Sequence, residues 1–353
     1  MSTQNRYARP IDEPQWNIPA SFETVFKWEY ANGRDALVNL YEKGKTQQWN
    51  TTTRIDWSQD LDPENPQGLP DEAISIYGSP AWNRLTAKER ANVRRHTQAW
   101  QNSQFLHGEQ GALICTAKIV QQVPSVSAKY YAATQVIDEA RHVESYSRLL
   151  HEKFELAYPI TPTLKALLDN ILSDSRWDMT YLGMQVLIEG LALAAFASTR
   201  DQAANPLAAA VNAYVMQDEA RHVAFGRLAL RDYYPELTAA ERREREEFVV
   251  EGCYHLRDRF NSPEMWERLN IDVKEALREV DGSEGQIRFR KRLFSRIVPI
   301  VKDIGLWGER VRKAYVDMQV IHYGDTDPQA MLDHDASVAE EFDKLLGKNP
   351  VPA

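Results

Sequence analysis

Cysteine is nearly absent. The 353-residue chain has two, Cys115 and Cys253, which excludes a disulfide framework and leaves no thiolate cluster for zinc or an iron–sulfur group. Cys115 falls in an apolar helical run and reads as core. No long basic run accompanies the net charge of −9, so neither nucleic acid nor an anionic membrane is an expected partner. Residues 1–20 contain no apolar signal-peptide core, and apolar runs such as Leu191 to Ala197 are far shorter than a bilayer requires. A cytoplasmic protein is therefore expected. A Gly-rich phosphate loop after a strand, a Gly-x-Ser-x-Gly elbow and low-complexity tracts are also missing. Glycine and proline are modest at 16 and 17 residues, and a hydrophobic fraction of 43% suffices for a large core.

What is present is a repeated pentapeptide. Asp138-Glu139-Ala140-Arg141-His142 recurs as Asp218-Glu219-Ala220-Arg221-His222, a spacing of 80 residues, and Glu109 and Glu189 stand 80 residues apart as well. On a helix, Glu and His three apart share one face, so each Glu-x-x-His aims two ligands at one place. Two such helices, with one glutamate from each of two others, make the ligand set of a dinuclear carboxylate-bridged iron or manganese centre in a four-helix bundle. The two halves share one site, so a single core is expected.

Helix signals agree with this reading. Residues 1–20 read as an extended arm interrupted by Pro10, Pro14 and Pro19, with a helix within 22–41 and a polar Pro/Gly-containing loop over 50–80. Core helices are predicted over 87–123, 127–157, 176–199 and from Asn205-Pro206 to Tyr234-Pro235, with a short helix near 164–172. Their inward stripes carry Phe105, Glu109, Ala112 and Thr116; Glu139, His142 and Tyr146; Val186, Glu189, Leu193 and Phe196; Val215, Glu219 and His222. Helical patterns near 238–260, 285–319 and 328–346 are expected to pack around the bundle. The expected division is thus an N-terminal arm, helix and loop over 1–80, followed by the bundle with its C-terminal helices over 81–353.

A glutamate inside an apolar stripe must be paired, protonated or metal-bound. Four carboxylates carry −4, two divalent ions +4, and two neutral imidazoles add donors without charge, so the set balances. Oxygen with imidazole donors suits iron or manganese, and open positions on non-haem iron(II) invite dioxygen. Asp138 and Asp218 sit where each can accept the free ring N–H of a metal-bound imidazole across on the opposite helix. Arg141 and Arg221 are placed to hold those aspartates ionised.

These motifs, over Phe105 to Leu230, resemble the ferritin-like di-iron carboxylate superfamily. The repeated Asp-Glu-x-Arg-His is most similar to the hydroxylase subunits of bacterial multicomponent monooxygenases. The resemblance implies an all-α, ferritin-like four-helix bundle with additional packed helices. It assigns Glu109, Glu139 and His142 to one iron, Glu189, Glu219 and His222 to the other, with bridging glutamates, and Asp138, Arg141, Asp218 and Arg221 to the surrounding hydrogen bonds. Phe105 takes the place of a gating residue, and a substrate pocket lined by Phe105, Ala112, Leu193 and Phe196 is expected. The implied activity is that of an O2-activating di-iron monooxygenase or oxidase acting on a small organic molecule. Its centre would hold two irons, with manganese or a mixed iron/manganese pair as the variant. Electrons would come from a separate reductase, a regulatory protein could take part, and a homodimer or larger complex is expected.

Departures from these relatives define the alternatives. Leu193 stands where the hydroxylases carry threonine. Tyr146 occupies the position of the radical tyrosine in the ribonucleotide reductase small subunit, although that family usually begins its ligand set with Asp where Glu109 stands, and the last six residues here contain no tyrosine. The arylamine N-oxygenases add a histidine one turn before the last Glu-x-x-His; Val215 is found there, so the chain is expected to lie outside close membership, with amine oxidation still open. Iron storage ranks last, because storage ferritins are much shorter chains.

Overall fold

The computed structural model describes residues 7–9, 16–28, 30 and 35–345. The rest of the expected N-terminal arm and the tail beyond Leu345 lie outside the described residues. Helix α1 spans Asp35–Thr46; residues 22–28 and 30, expected to be helical, are not. The polar stretch after α1 is mostly loop, with short helices at Thr51–Arg54 and Pro80–Arg84.

Four long helices then build the core: α2 (Ala87–Gln122), α3 (Val126–Arg148), α5 (Trp177–Gln202) and α6 (Pro206–Tyr233), with the shorter α4 (Pro162–Ser173) between the two pairs. Their ends are written in local chemistry. Thr86 and Glu89 close a reciprocal capping box at the start of α2, Ser125 caps α3, and Asn205 accepts from the amides of Leu207 and Ala208 ahead of Pro206. Short connections make α2 with α3, and α5 with α6, packed pairs, and the crossover through α4 joins them as in bundles with one long connection. Among the described residues the protein is all-α, apart from one isolated bridge between Tyr7 and Ala157.

Two core helices widen locally into π turns. One continues α3 over Leu149–Phe154 and ends at Glu155 in the left-handed region (φ 49). The other occupies Leu182–Ile188 inside α5, immediately before Glu189. A π segment adds a residue per turn and shifts the phase of the residues after it, so α5 presents Glu189 in a register a uniform 3.6 period does not give. Gly226 of α6 accommodates this widening: a Cβ there would meet the Gln185 side chain at 2.5 Å.

By length and composition α5 is apolar enough to cross a membrane, but 94% of its most apolar 18 residues is buried in the protein. Its apolar length is not apparent as a single run in the sequence, because Asp178 and Glu189 divide it. It is the central core helix.

Helix α7 (Ala239–Asp258) and a C-terminal helix, α8 (Pro328–Leu345), pack on the bundle, α8 chiefly against α6. The pattern over 285–319 does not form one helix. It breaks into Glu284–Leu293, Ile297–Asp303 and Glu309–Asp317; the second break falls where Gly305 turns at φ 84 and Gly308 supplies the next N-cap.

Candidate metal centre

The six expected ligands meet at the middle of the bundle. Donor atoms of Glu109, Glu139, His142 and Glu219 lie within 4.8 Å of one another, as do those of Glu139, Glu189 and His222. Every one of the six is at most 5% exposed. Glu139 belongs to both clusters, and Glu219 Oε1 is 3.1 Å from His142 Nδ1 and 3.4 Å from His222 Nδ1. The glutamates of the two repeated motifs therefore lie between the imidazoles, while Glu109 belongs to one cluster and Glu189 to the other.

Ring orientation is set from outside. His142 Nε2 lies 3.1 Å from Asp218 Oδ2 and His222 Nε2 lies 3.3 Å from Asp138 Oδ2, so each aspartate serves the histidine of the other repeat and both Nδ1 atoms face the carboxylates. This is the arrangement expected of metal-bound imidazoles whose second nitrogen donates to a carboxylate. Arg141 Nη2 bonds Asp138 at 2.5 Å and Asp218 at 2.7 Å, and Arg221 Nη2 bonds Asp218 at 2.5 Å and Asp138 at 3.3 Å. Burial opposes ionisation of Asp218, but the charges of Arg221 and Arg141 outweigh it and hold its pKa well below the usual value. The arginines are 7% and 3% exposed, which excludes ordinary surface ion pairing.

The donors fit a metal pair. Glu139 Oε2, Glu189 Oε2, both oxygens of Glu219 and His222 Nδ1 are buried and have no hydrogen-bond partner among the described residues. Such atoms cost stability unless something binds them. Among the side chains alone, burial and the charge of Glu219 push the Glu109 carboxyl up to about 8, and burial with Glu219 and Glu139 raises Glu189 well above its ordinary value. Burial works against charge on His142, yet its hydrogen bonds to Asp218, Glu109 and Glu139 prevail and raise its pKa. Glu109 and Glu189 thus resist carrying charge in this cluster unless cations balance it.

Some participants escaped the sequence reading. Gln135 Nε2 donates to Glu139 Oε1 at 2.9 Å and to Glu189 Oε1 at 3.1 Å; its position one turn before Glu139 was the available signal. Trp49 Nε1 donates to Asp218 Oδ2 at 2.8 Å, Gln48 Nε2 to Asp138 Oδ1 at 2.8 Å, and Arg221 donates to Gln47 Oε1 at 2.8 Å. These three follow α1 in a polar loop, and nothing in their local pattern marks them.

Of the expected pocket residues, Phe105, Ala112 and Phe196 line a cavity together with Glu109, Glu189, Glu219 and Arg259. Leu193 is fully buried but outside this lining; Ala192, three residues after Glu189, takes that face. The cavity volume is about 20 Å³, roughly enough for one water. Tyr146 packs on Phe196, with ring centroids 5.7 Å apart, and its hydroxyl donates to Asn212 Oδ1 at 3.2 Å.

Fold and centre together define the class: a ferritin-like dimetal carboxylate oxidoreductase. Comparison with protein families is decisive on the rest, because the family model described as p-aminobenzoate N-oxygenase AurF matches residues 31–305. The chain belongs to that family. This corrects the expectation drawn from Val215: one position does not outweigh a match over most of the chain. A comparison with curated proteins finds no match. Among solved structures, two variants of an R2-like ligand-binding oxidase with an anaerobically reconstituted Mn/Fe cofactor are similar, each at 18% identity and TM-score 0.50, covering 79% of this chain and 95% of theirs. At that identity the likeness concerns the fold.

Proposed function

We propose that Glu109, Glu139, His142, Glu189, Glu219 and His222 hold two metal ions, and that the enzyme N-oxygenates a small arylamine with O2 as oxidant. Iron in both positions is the favoured occupancy, with manganese or a mixed pair as the variant. The observation that carries the reading is the convergence of buried, unpartnered carboxylate oxygens and two inward Nδ1 atoms, in a chain of the N-oxygenase family. When bound, the metal pair supplies two-electron activation of dioxygen.

The chain's own residues supply geometry and exclude water. Asp138 and Asp218 fix the imidazole tautomers, Arg141 and Arg221 keep the aspartates charged, and Phe105, Ala112 and Phe196 wall off the carboxylates. The overall change is ArNH2 + O2 + 2 electrons + 2 protons to ArNHOH + H2O. The electrons come from a separate reductase, because the chain carries no flavin or iron–sulfur motif. A regulatory protein and self-association into a homodimer or larger complex belong to the same proposal.

The test is metal analysis of protein expressed in iron-rich medium, then mixing of the reduced, iron-loaded protein with O2 and 4-aminobenzoate. An N-hydroxylated product and two irons per chain are expected. Iron-loaded protein that leaves arylamines unchanged with every electron donor would sink the proposal. The radical-generating alternative, on Tyr146, is less favoured because its phenol is satisfied by Asn212 and enclosed by rings. A tyrosyl paramagnetic signal after O2 exposure that disappears in Tyr146→Phe would reverse that order.

A further inference from the structure

The outer side of α3 is apolar and uncovered. Tyr130, Ala133, Ile137, Ala140 and Glu144 are all exposed, and they follow the alternating three- and four-residue spacing with which one helix seats another. Ile137 is 56% exposed and Tyr130 44%, and Ile114 on the neighbouring α2 is 50% exposed. An apolar side chain standing alone on a surface needs no explanation, but a periodic row of them marks a contact face. The other sides of α3 are taken. Glu139 and His142 face the metal centre, Asp138 and Arg141 reach α6 and the loop after α1, and Thr134 lies so close to α1 that a Cβ on Gly44 would meet it at 2.8 Å.

The row ends in opposite charges. Lys129 stands at its start and Glu144 at its finish, about 22 Å apart along the helix, and the outer stripe between them carries no charge. Lys129 Nζ donates to the carbonyls of Val120 and Gln121, but among the described residues no carboxylate pairs with it and no cation pairs with Glu144. A two-fold contact must be self-complementary, each residue meeting the partner of its own partner. Laid antiparallel on itself about the midpoint between Val136 and Ile137, α3 sets Lys129 against Glu144, Tyr130 against Val143 and Ala133 against Ala140. The larger ring meets a smaller side chain, the alanines let the helix axes approach, and each end gains the opposite charge. A parallel copy would instead set lysine beside lysine and glutamate beside glutamate.

We propose that this face binds a second copy of the chain, α3 against α3 in that antiparallel register, with Ile114 of α2 at its margin. The docking face and the face that carries Glu139 and His142 are opposite sides of one helix, so each copy braces the other's metal-binding helix from behind. The inference rests on the self-association proposed above and on nothing in the reaction. A dimer joined through another surface would leave that reading standing and overturn this one.

The experiment is sedimentation of the metal-loaded full chain, in which wild type should be a dimer at micromolar concentration. Ile137→Arg sets two guanidinium groups face to face at the axis and should weaken the dimer by about 100-fold or more, with iron content and circular dichroism unchanged. Glu144→Lys should weaken it by about 3- to 10-fold, and adding Lys129→Glu to the same chain should restore it to within about twofold. Cross-linking reads the register. Ala133→Cys together with Ala140→Cys should give a disulfide-linked dimer under oxidised glutathione. Either alone places its two copies about 10 Å apart across the axis, and the two positions are equally far apart within one helix, too far for a disulfide in both cases. The native Cys115 and Cys253 are fully buried and stay silent. A monomeric wild type, a dimer that survives Ile137→Arg, a charge swap that restores nothing, or a double-cysteine variant that cross-links no better than the single ones would overturn the assignment.

Discussion

Asp218 Oδ2 lies 3.1 Å from Nε2 of His142, a residue of the other repeat, and not beside the histidine four residues further along its own helix. The same oxygen accepts from Trp49 at 2.8 Å and from Arg141 at 2.7 Å. One carboxylate oxygen therefore ties α3, α6 and the loop after α1 together, and fixes which nitrogen of His142 faces the carboxylates.

Asp218→Asn should keep the fold and weaken metal binding by about 10- to 100-fold, the usual effect of losing the partner of a ligating histidine. The amide removes the charge that Arg141 and Arg221 surround. Chelator competition with purified protein measures this; affinity equal to wild type would contradict the role.

The double variant His142→Ala, His222→Ala is expected to lose the metal pair. Elemental analysis of protein from iron-rich medium should fall from two irons per chain towards none, while circular dichroism remains helical. Retention of both irons would mean that the six residues are not the ligands.

Gln135→Leu is similar in size but cannot donate. Glu139 and Glu189 then lose the amide that bonds them at 2.9 and 3.1 Å, and metal affinity should drop by about tenfold. Gln135→Glu should be worse, because it adds a fifth carboxylate to the cluster. If both variants load metal like wild type, Gln135 only fills space.

Removing metal should lower the melting temperature, and restoring it should raise that temperature in a concentration-dependent way. Uptake should also release protons, since carboxylates and imidazoles bind as deprotonated donors and the Glu109 carboxyl stands up at about 8. Affinity should accordingly fall as pH is lowered below that value. Titrations in buffers of different ionisation enthalpy count the protons; a count of zero at pH 7 would contradict the electrostatics of the site.

A separate pH effect is expected from His96, whose ring nitrogen lies 2.6 Å from the Tyr158 hydroxyl. Burial, then the charges of Arg95 and Arg268, lower its pKa to about 4. The unfolded chain binds this proton near pH 6.5. Stability should therefore be unaffected by His96 above that pH and be lost progressively as pH falls from about 6.5 to about 4. Urea unfolding of wild type and His96→Gln at pH 7.5 and 5 checks it: the variant should lose less stability between the two.

The convergence of the six side chains was legible because two local rules act together. Glu and His three apart must share a helical face, and a repeat of 80 residues states that two such faces belong to one symmetric core. Helix ends were legible for a similar reason: Thr86 with Glu89, Ser125 after Pro124, and Asn205-Pro206 are backbone caps whose partners lie within a turn. Family membership was not legible at Val215, because one position carries less information than the pattern over residues 31–305.

The sequence by itself determined which side chains are inward and which elements carry them, since helical phase and capping depend on neighbours three or four residues away. Tertiary structure alone decided the remainder. It placed Gln47, Gln48 and Trp49 against the aspartates and their arginine, put Glu139 and Glu219 between the histidines, widened α5 ahead of Glu189, and set Arg259 in the walls of two cavities. Each of those outcomes depends on the packing of segments distant in the chain, and residue spacing carries no information about the distance between helices.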